Sequence, residues 1–200
     1  MKLVNKMWLP DGDIFFETKG DYELTDYLKA KSYFKQHRLA IDIGAHVGFW
    51  SKRLVEDFDI VYAFEPDQEH VECLRMNVSS HRLVVNKTAL SHYEGSITFN
   101  KYIDNSGMSR VSDQGTKVNC KTLDSYRLRC VDFIKIDVEG HELNVLEGSE
   151  QTLDLCRPVL FIEILHNSDP TLRQLLFNYI ARFNYNMVDI IDENYIFVHV

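Results

Sequence analysis

Ile41-Asp42-Ile43-Gly44-Ala45-His46-Val47-Gly48 is the stretch on which the reading of this chain turns. Leu39 to Ile43 is a short apolar run, broken only by Asp42, and it stops at Gly44. A strand that stops at glycine lets the backbone turn sharply and leaves room for a ligand. The helix expected next, over Ser51 to Phe58, aims free amides and a positive dipole end at the same place. Ile60 to Phe64 reads as a second strand and closes on Glu65-Pro66. A carboxylate there can accept both hydroxyls of a ribose. Singly, these features also suit an ordinary turn and a surface acid. Together they point to a ribose-containing ligand at the carboxyl edge of a parallel sheet.

Working outward, Asp67 to Asn77 reads as a helix with Asp67 as its N-cap, and Leu83 to Val85 as a third strand. The alternation is that of βαβ units. Upstream, Met7 to Asp13 suits a short strand or extended arm, then a turn. Tyr22 to Phe34 carries Leu24, Tyr27, Leu28, Ala30 and Phe34 at roughly helical spacing. Downstream, Leu90 to Tyr126 breaks the alternation, with a short strand over Ser96 to Phe99 and a polar loop from Asp104 to Gly115. Such insertions often carry substrate contacts, and Ser109 and Arg110 are candidates to face the cleft. Val131 to Asp137 is a strand ending in acid, and a helix starts over His141 to Leu146. Val159 to Ile164 is a strand entered through Pro158, where a missing amide is tolerated. A helix over Thr171 to Phe183 follows. Met187 to Ile191 and Tyr195 to Val200 must form a hairpin, because a parallel crossover needs about a dozen residues. The expected organisation is one domain. Residues 1–38 form an arm and helix packed on residues 39–200, and residues 90–126 form a substrate-shaping insertion.

Composition narrows the class. The chain has 200 residues, 45% of them hydrophobic, enough for one sizeable core. Its formal charge of −8 argues against a non-specific nucleic-acid binder. Cys73, Cys120, Cys130 and Cys156 lack the close pairing of a zinc site or the density of a secreted scaffold, so reduced thiols are expected. Asn77-Val78-Ser79 and Asn86-Lys87-Thr88 match the glycosylation pattern, a match common by chance. No apolar run approaches the roughly 18 residues of a membrane span, and acids and a proline interrupt the N-terminus by Asp11. A soluble, cytoplasmic protein is the expectation.

The ligand can be narrowed further. A dinucleotide turn wants G-x-G-x-x-G, whereas Gly44 is followed only by Gly48. Asp42, just before the turn, would repel a pyrophosphate and suits a cofactor carrying an ammonium and a sulfonium. Methyl transfer therefore stands ahead of an atypical NAD-dependent oxidoreductase, with a non-catalytic binding module as the other alternative. A second constellation is Phe133-Ile134-Lys135-Ile136-Asp137-Val138-Glu139-Gly140-His141-Glu142. Strand alternation puts Lys135 and Asp137 on one face and Ile134 and Ile136 on the other. Asp137 is a candidate cofactor contact, Glu139 a candidate for positioning the acceptor, and Glu139 or His141 for removing a proton. As plain structure, the same residues would be capping acids and a surface histidine. Glu163, ending a buried strand, must be paired or bonded. It either partners Lys135 or orients an acceptor hydroxyl. His166 follows it toward the same cleft, and His46 beside the first turn suits a ligand contact or a bonded loop histidine.

Asp42-Ile43-Gly44-Ala45 with Gly48, Phe64-Glu65-Pro66, and Ile134-Lys135-Ile136-Asp137-Val138-Glu139-Gly140 with Glu142 and Leu146-Glu147-Gly148 resemble the FkbM family of methyltransferases over roughly residues 39 to 200. The resemblance implies a Rossmann-like seven-stranded α/β sheet, order 3-2-1-4-5-7-6 with strand 7 antiparallel, and S-adenosylmethionine as cofactor. It implies that Asp42, Gly44, Ala45 and Gly48 hold the cofactor's amino-acid part. Glu65 would take the ribose hydroxyls, and Pro66-Asp67 would lie near the adenine. It also implies O-methylation of a sugar or small metabolite. Asn-Pro-Pro-Tyr and Asp-Pro-Pro-Tyr, typical of enzymes acting on base nitrogens, are absent, which argues against a nucleic-acid base as acceptor. Asp137, Glu139 and Glu163 could imitate a magnesium-binding cluster, although a metal-independent reaction is the expectation.

Overall fold

After an N-terminal hairpin of β1 (Lys2–Val4) and β2 (Met7–Leu9), the chain forms helix α1 (Leu24–Lys31) and enters the main βα alternation. This comprises β3 (Leu39–Ile43), α2 (Phe49–Asp57), β4 (Ile60–Phe64), α3 (Gln68–Asn77) and β5 (Leu83–Asn86). Four further strands follow, β6 (Ala89–Leu90), β7 (Gly95–Asn100), β8 (Arg110–Val111) and β9 (Thr116–Lys121). The chain then returns through β10 (Val131–Ile136), α4 (Glu142–Glu147), α5 (Glu150–Cys156), β11 (Val159–Glu163), α6 (Pro170–Ala181), β12 (Tyr185–Ile191) and β13 (Asn194–His199). The computed structural model describes residues 1–19, 21–165 and 170–200.

The main sheet has seven strands in the order β5-β4-β3-β10-β11-β13-β12. Numbered along the chain, this is 3-2-1-4-5-7-6. All neighbours from β5 to β11 are parallel, and β13 is antiparallel to both β11 and β12. The expected hairpin is therefore the antiparallel edge of a doubly wound sheet. Strands β3 and β10 are covered on both faces, which is why they read as apolar runs. Ile134 and Ile136 pack with Ile41, Ile43 and Leu160 toward Val145, Leu153 and Ile180 of the later helices. Phe133 and Phe161 face the other way, against Tyr27, Trp50 and Leu54 of α1 and α2.

The insertion is more ordered than its composition suggested. β6, β9, β7 and β8 form a separate four-stranded sheet, and a short 3-10 turn over Ser106–Met108 interrupts the expected loop. Thr116–Lys121 escaped the sequence reading because only Cys120 of its six residues is buried, so no hydrophobic alternation marks it. Helix α5 was likewise not anticipated. The N-terminal hairpin is pinned to α3 by Asn77, whose amide donates to the carbonyls of Trp8 and Val47 at 2.9 and 2.8 Å and accepts the Trp8 N–H at 2.6 Å. Among the described residues no helix is long and apolar enough to cross a membrane. None of the four cysteines is in a disulfide.

Candidate active site

A cleft enclosing about 1060 Å³ and open to solvent lies at the carboxyl edge of the main sheet. Gly44, Ala45, His46, Glu65, Pro66, Asp137, Glu139, His141 and Glu163 all line it. Three other expected cofactor contacts, Asp42, Gly48 and Asp67, are not on its wall. Asp42 is fully buried beneath the turn, where it accepts the Ser51 hydroxyl at 2.6 Å and faces the Lys135 ammonium at 3.7 Å. Its strand neighbours Ile41 and Ile43 take the opposite face, so alternation turns Asp42 into the α2 side. Gly48 caps α2 with φ +95°. Asp67 caps α3, accepting the amides of Glu69 and His70. His166 lies outside the described residues.

The turn after β3 is shaped by contact with the end of β10. A Cβ on Gly44, whose φ is +76°, would lie 1.7 Å from the Asp137 carbonyl oxygen. Only glycine permits that approach, and the approach sets Asp137 beside the turn. His46 and Glu139 hold left-handed backbones, φ +50° and +56°. For side chains other than glycine this costs about 1–2 kcal/mol each. Both line the cleft, as expected of strain retained at a working site.

Carboxyl groups crowd the cleft floor and the layer beneath it. Lys135 is 3.0 Å from Asp137 and also donates to the Gly44 carbonyl at 3.1 Å. Burial opposes its charge, but Asp137, Asp42 and Glu23 raise its pKa nonetheless. Burial likewise penalises the Asp137 carboxylate, yet Lys135 and a hydrogen bond from Glu163 hold its pKa below the usual value. Glu163, next to the Asp137 charge and buried, is pushed up to about 11, so it keeps its proton and donates it to Asp137. Its hydrogen-bonding partner is thus the acid that Lys135 also holds. Carboxylate oxygens of Asp137, Glu139 and Glu163 lie within 4.8 Å of one another. Burial and the nearby Asp137 and Glu142 push Glu139 up to about 7. His141 is driven down to about 4 by burial and His92, and its Nε2 lies 2.9 Å from the Ser91 hydroxyl.

Several lining residues had no signal in the sequence. Glu23, at the N-cap of α1, accepts the Trp50 indole N–H at 2.6 Å and is pushed up to about 7, mainly by burial. Tyr22 and His70 also reach the cleft. The roof comes from two distant segments joined by Asp13. Its fully buried carboxylate accepts the Phe16 N–H at 2.9 Å, the Ser106 N–H at 2.9 Å and the Ser106 hydroxyl. Ser106 Oγ in turn lies 2.6 Å from His46 Nε2. Of the two insertion candidates, Ser109 lines the cleft, whereas the Arg110 guanidinium stacks over Tyr102. These partners lie far apart in the chain, so no local spacing announces them.

The residues present fit S-adenosylmethionine. Glu65 is 4% exposed, and its oxygens accept the N–H groups of His46 and Asp67 at 3.0 and 2.9 Å. It keeps acceptor capacity for hydroxyls. The carboxylates around Lys135 suit an ammonium and a sulfonium, and would oppose a pyrophosphate.

Comparison with known proteins agrees. A model of the methyltransferase FkbM domain matches residues 42–187. No curated protein sequence matches the chain. A methyltransferase FkbM from Methylobacillus flagellatus superposes with a TM-score of 0.64 at 17% identity. The match covers 97% of this chain and 49% of that one, so this chain spans about half its length. A ribosomal protein L11 methylase from Lactobacillus delbrueckii gives 0.57 at 10% identity, covering 90% and 78% of the two chains. A precorrin-8w decarboxylase from Methanobacterium thermoautotrophicum gives 0.55 at 9%, covering 88% and 90%. Identities this low establish a shared fold, on which unrelated functions are hosted. The family match supplies what the fold alone does not, and it sets aside the dinucleotide alternative. Spanning both the glycine turn and the Asp137–Glu139 strand end, it shows that this chain belongs to the FkbM methyltransferase family, whose cofactor is S-adenosylmethionine.

Proposed function

We propose that the protein methylates a hydroxyl group of a carbohydrate or small metabolite, with Glu139 as the general base. The observation that carries this reading is a single cleft lined at once by the Gly44–His46 turn, Glu65 and Glu139. Bound there, S-adenosylmethionine supplies an electrophilic methyl group on a sulfonium. Gly44, Ala45 and His46 with Asp137 would hold its amino-acid part, Glu65 its ribose and Pro66 its adenine side. Asp42 acts on the cofactor through Lys135, and Gly48 and Asp67 through the caps they provide.

The remaining chemistry belongs to the acceptor side. Methyl transfer to a hydroxyl needs the oxygen held in line and its proton removed. Proximity and orientation supply most of the acceleration. Glu139, titrating near neutrality, suits proton removal, because a base poised near the working pH is the most effective. His141 is already engaged with Ser91 and is the weaker candidate. Glu163, protonated, keeps Asp137 anionic and oriented. The apolar part of the wall, including Phe16, Phe99 and Met108, suits the body of an uncharged acceptor. The net charge of −8 disfavours nucleic acid as partner. Four cysteines outside disulfides support a reducing, cytoplasmic setting.

Calorimetric titration with S-adenosylmethionine and S-adenosylhomocysteine, with NAD as control, tests the cofactor assignment. Radiolabelled methyl transfer to a panel of sugars, phenols and amines then tests the acceptor class. Saturable binding of the sulfur compounds with transfer to hydroxyls is expected. Transfer confined to amines would overturn the O-methylation reading, and absence of binding by folded, ligand-free protein would overturn the whole assignment.

A further inference from the structure

Glu65 receives three donors of two kinds. The N–H groups of His46 and Asp67 come with the turns that bracket it, at 3.0 and 2.9 Å. The third is an imidazole, with His70 Nδ1 3.3 Å from Glu65 Oε1. His70 stands in the first turn of α3, is 1% exposed and lines the cleft. Its Nε2 is buried with no hydrogen-bond partner among the described residues. The Asp67 carboxylate, at 3.9 Å, is beyond hydrogen-bonding reach. The Glu65 carboxylate beside Nδ1 accepts from that nitrogen, which therefore carries a proton. The ring packs edge-on against that of His46, with centroids 4.6 Å apart, which holds its orientation. A buried ring nitrogen left without a hydrogen-bond partner is rare, and it marks a ring kept for what its other nitrogen does.

We infer that His70 is a positioning residue for the nucleoside half of the cofactor, its Nδ1–H setting the plane of the Glu65 carboxylate. Three of that group's roughly four lone-pair sites are then taken. The remaining site, on the oxygen that accepts only the His46 amide, is held in one direction, toward a ribose hydroxyl. This rests on the S-adenosylmethionine reading above and adds to it a residue that selects for ribose. Without the imidazole, the carboxylate turns on its two backbone donors and loses its hold on the sugar.

The test is calorimetric titration of wild type, His70→Asn, His70→Gln and His70→Phe with S-adenosylhomocysteine and with its 2′,3′-dideoxy counterpart. Wild type should prefer the hydroxylated compound by about 100-fold, the range of hydrogen bonds to a charged group. The Phe and Gln variants should cut that preference below about 10-fold, while binding the dideoxy compound as wild type does. Asn places an amide donor near the position of Nδ1 and should keep the preference within about 3-fold of wild type. The inference is overturned if Phe retains the preference, if Asn is no better than Phe, or if dideoxy binding falls equally. Wild type that binds both compounds alike would keep the cofactor and remove this role. Wild type that binds neither would remove the cofactor reading, and this inference with it.

Discussion

The floor and the roof of the cleft are built in opposite ways. The floor is the carboxyl edge of β3 and β10, both almost wholly buried and paired in parallel register from Phe133 onward. Its polar groups are compensated from within, Lys135 answering Asp42 and Asp137 and the Glu163 proton answering Asp137. The roof joins the N-terminal arm to an insertion that includes two-residue strands, β6 and β8, and is tied by hydrogen bonds to Asp13. A floor of this kind has one geometry and suits a fixed cofactor. A roof of short strands and polar ties can change in sequence without disturbing the floor, which suits a varying acceptor. The difference predicts that affinity for the cofactor and choice of acceptor can be changed separately.

The most damaging break of the comparison should be Lys135→Met. It strands the buried Asp42 carboxylate and the half-buried Asp137 one, and loss of one partner from a buried pair costs about 3–5 kcal/mol. Denaturant unfolding should show this loss, and a cost below about 1 kcal/mol would mean that the floor is not held by its charges. Glu139→Gln comes next, and should lower turnover about 10²–10⁴-fold with S-adenosylhomocysteine binding retained. The wild-type rate should climb as pH rises through about 7, where Glu139 loses its proton, and the variant should lack that limb. The stability sign is opposite. Because the folded state holds this proton more tightly than the ordinary value of 4.5, stability falls as pH rises from there to about 7. The Gln variant should therefore unfold no more easily than wild type at pH 8, as thermal melts would show.

Asp13→Ala sharpens the contrast from the roof side. It leaves the buried Ser106 and Phe16 N–H groups unpaired, a cost of about 1–3 kcal/mol each. Acceptor KM should rise while cofactor affinity, reached from Asp13 through the Ser106–His46 hydrogen bond, stays within about 3-fold of wild type. An equal loss of cofactor affinity would mean that roof and floor are one unit. The smallest effect should be that of Ser109→Ala, which removes one hydroxyl from the roof. A shift of about 2- to 10-fold in acceptor KM, with unchanged S-adenosylhomocysteine binding, corresponds to one neutral hydrogen bond.

Legibility in the sequence followed the same division. The Gly44 turn, Glu65 and the Asp137–Glu139 strand end belong to short contiguous stretches with apolar strands before them, so pattern alone located them. The terminal hairpin was legible because two strands so close in sequence have no other way to pair. Thr116–Lys121 was not, since a mostly exposed strand shows no alternation. Glu23, His70 and Ser106 were missed because each owes its place to a partner 5 to 60 residues away, respectively Trp50, Glu65 and His46. Asp42 illustrates the converse. Its position before the turn was readable, but its side chain serves Lys135 and Ser51 below the cleft.

The sequence by itself determined the βα alternation, the strand order through its family resemblance, and the acids that close the strands. These follow from hydrophobic periodicity and from glycine's backbone freedom, both local properties of the chain. Only the tertiary structure decided which acid carries a proton, which histidine nitrogen donates, and which segments cover the cleft. Those outcomes depend on burial and on charges brought together from distant strands, and electrostatic energy depends on separation in space, which spacing along a chain does not specify.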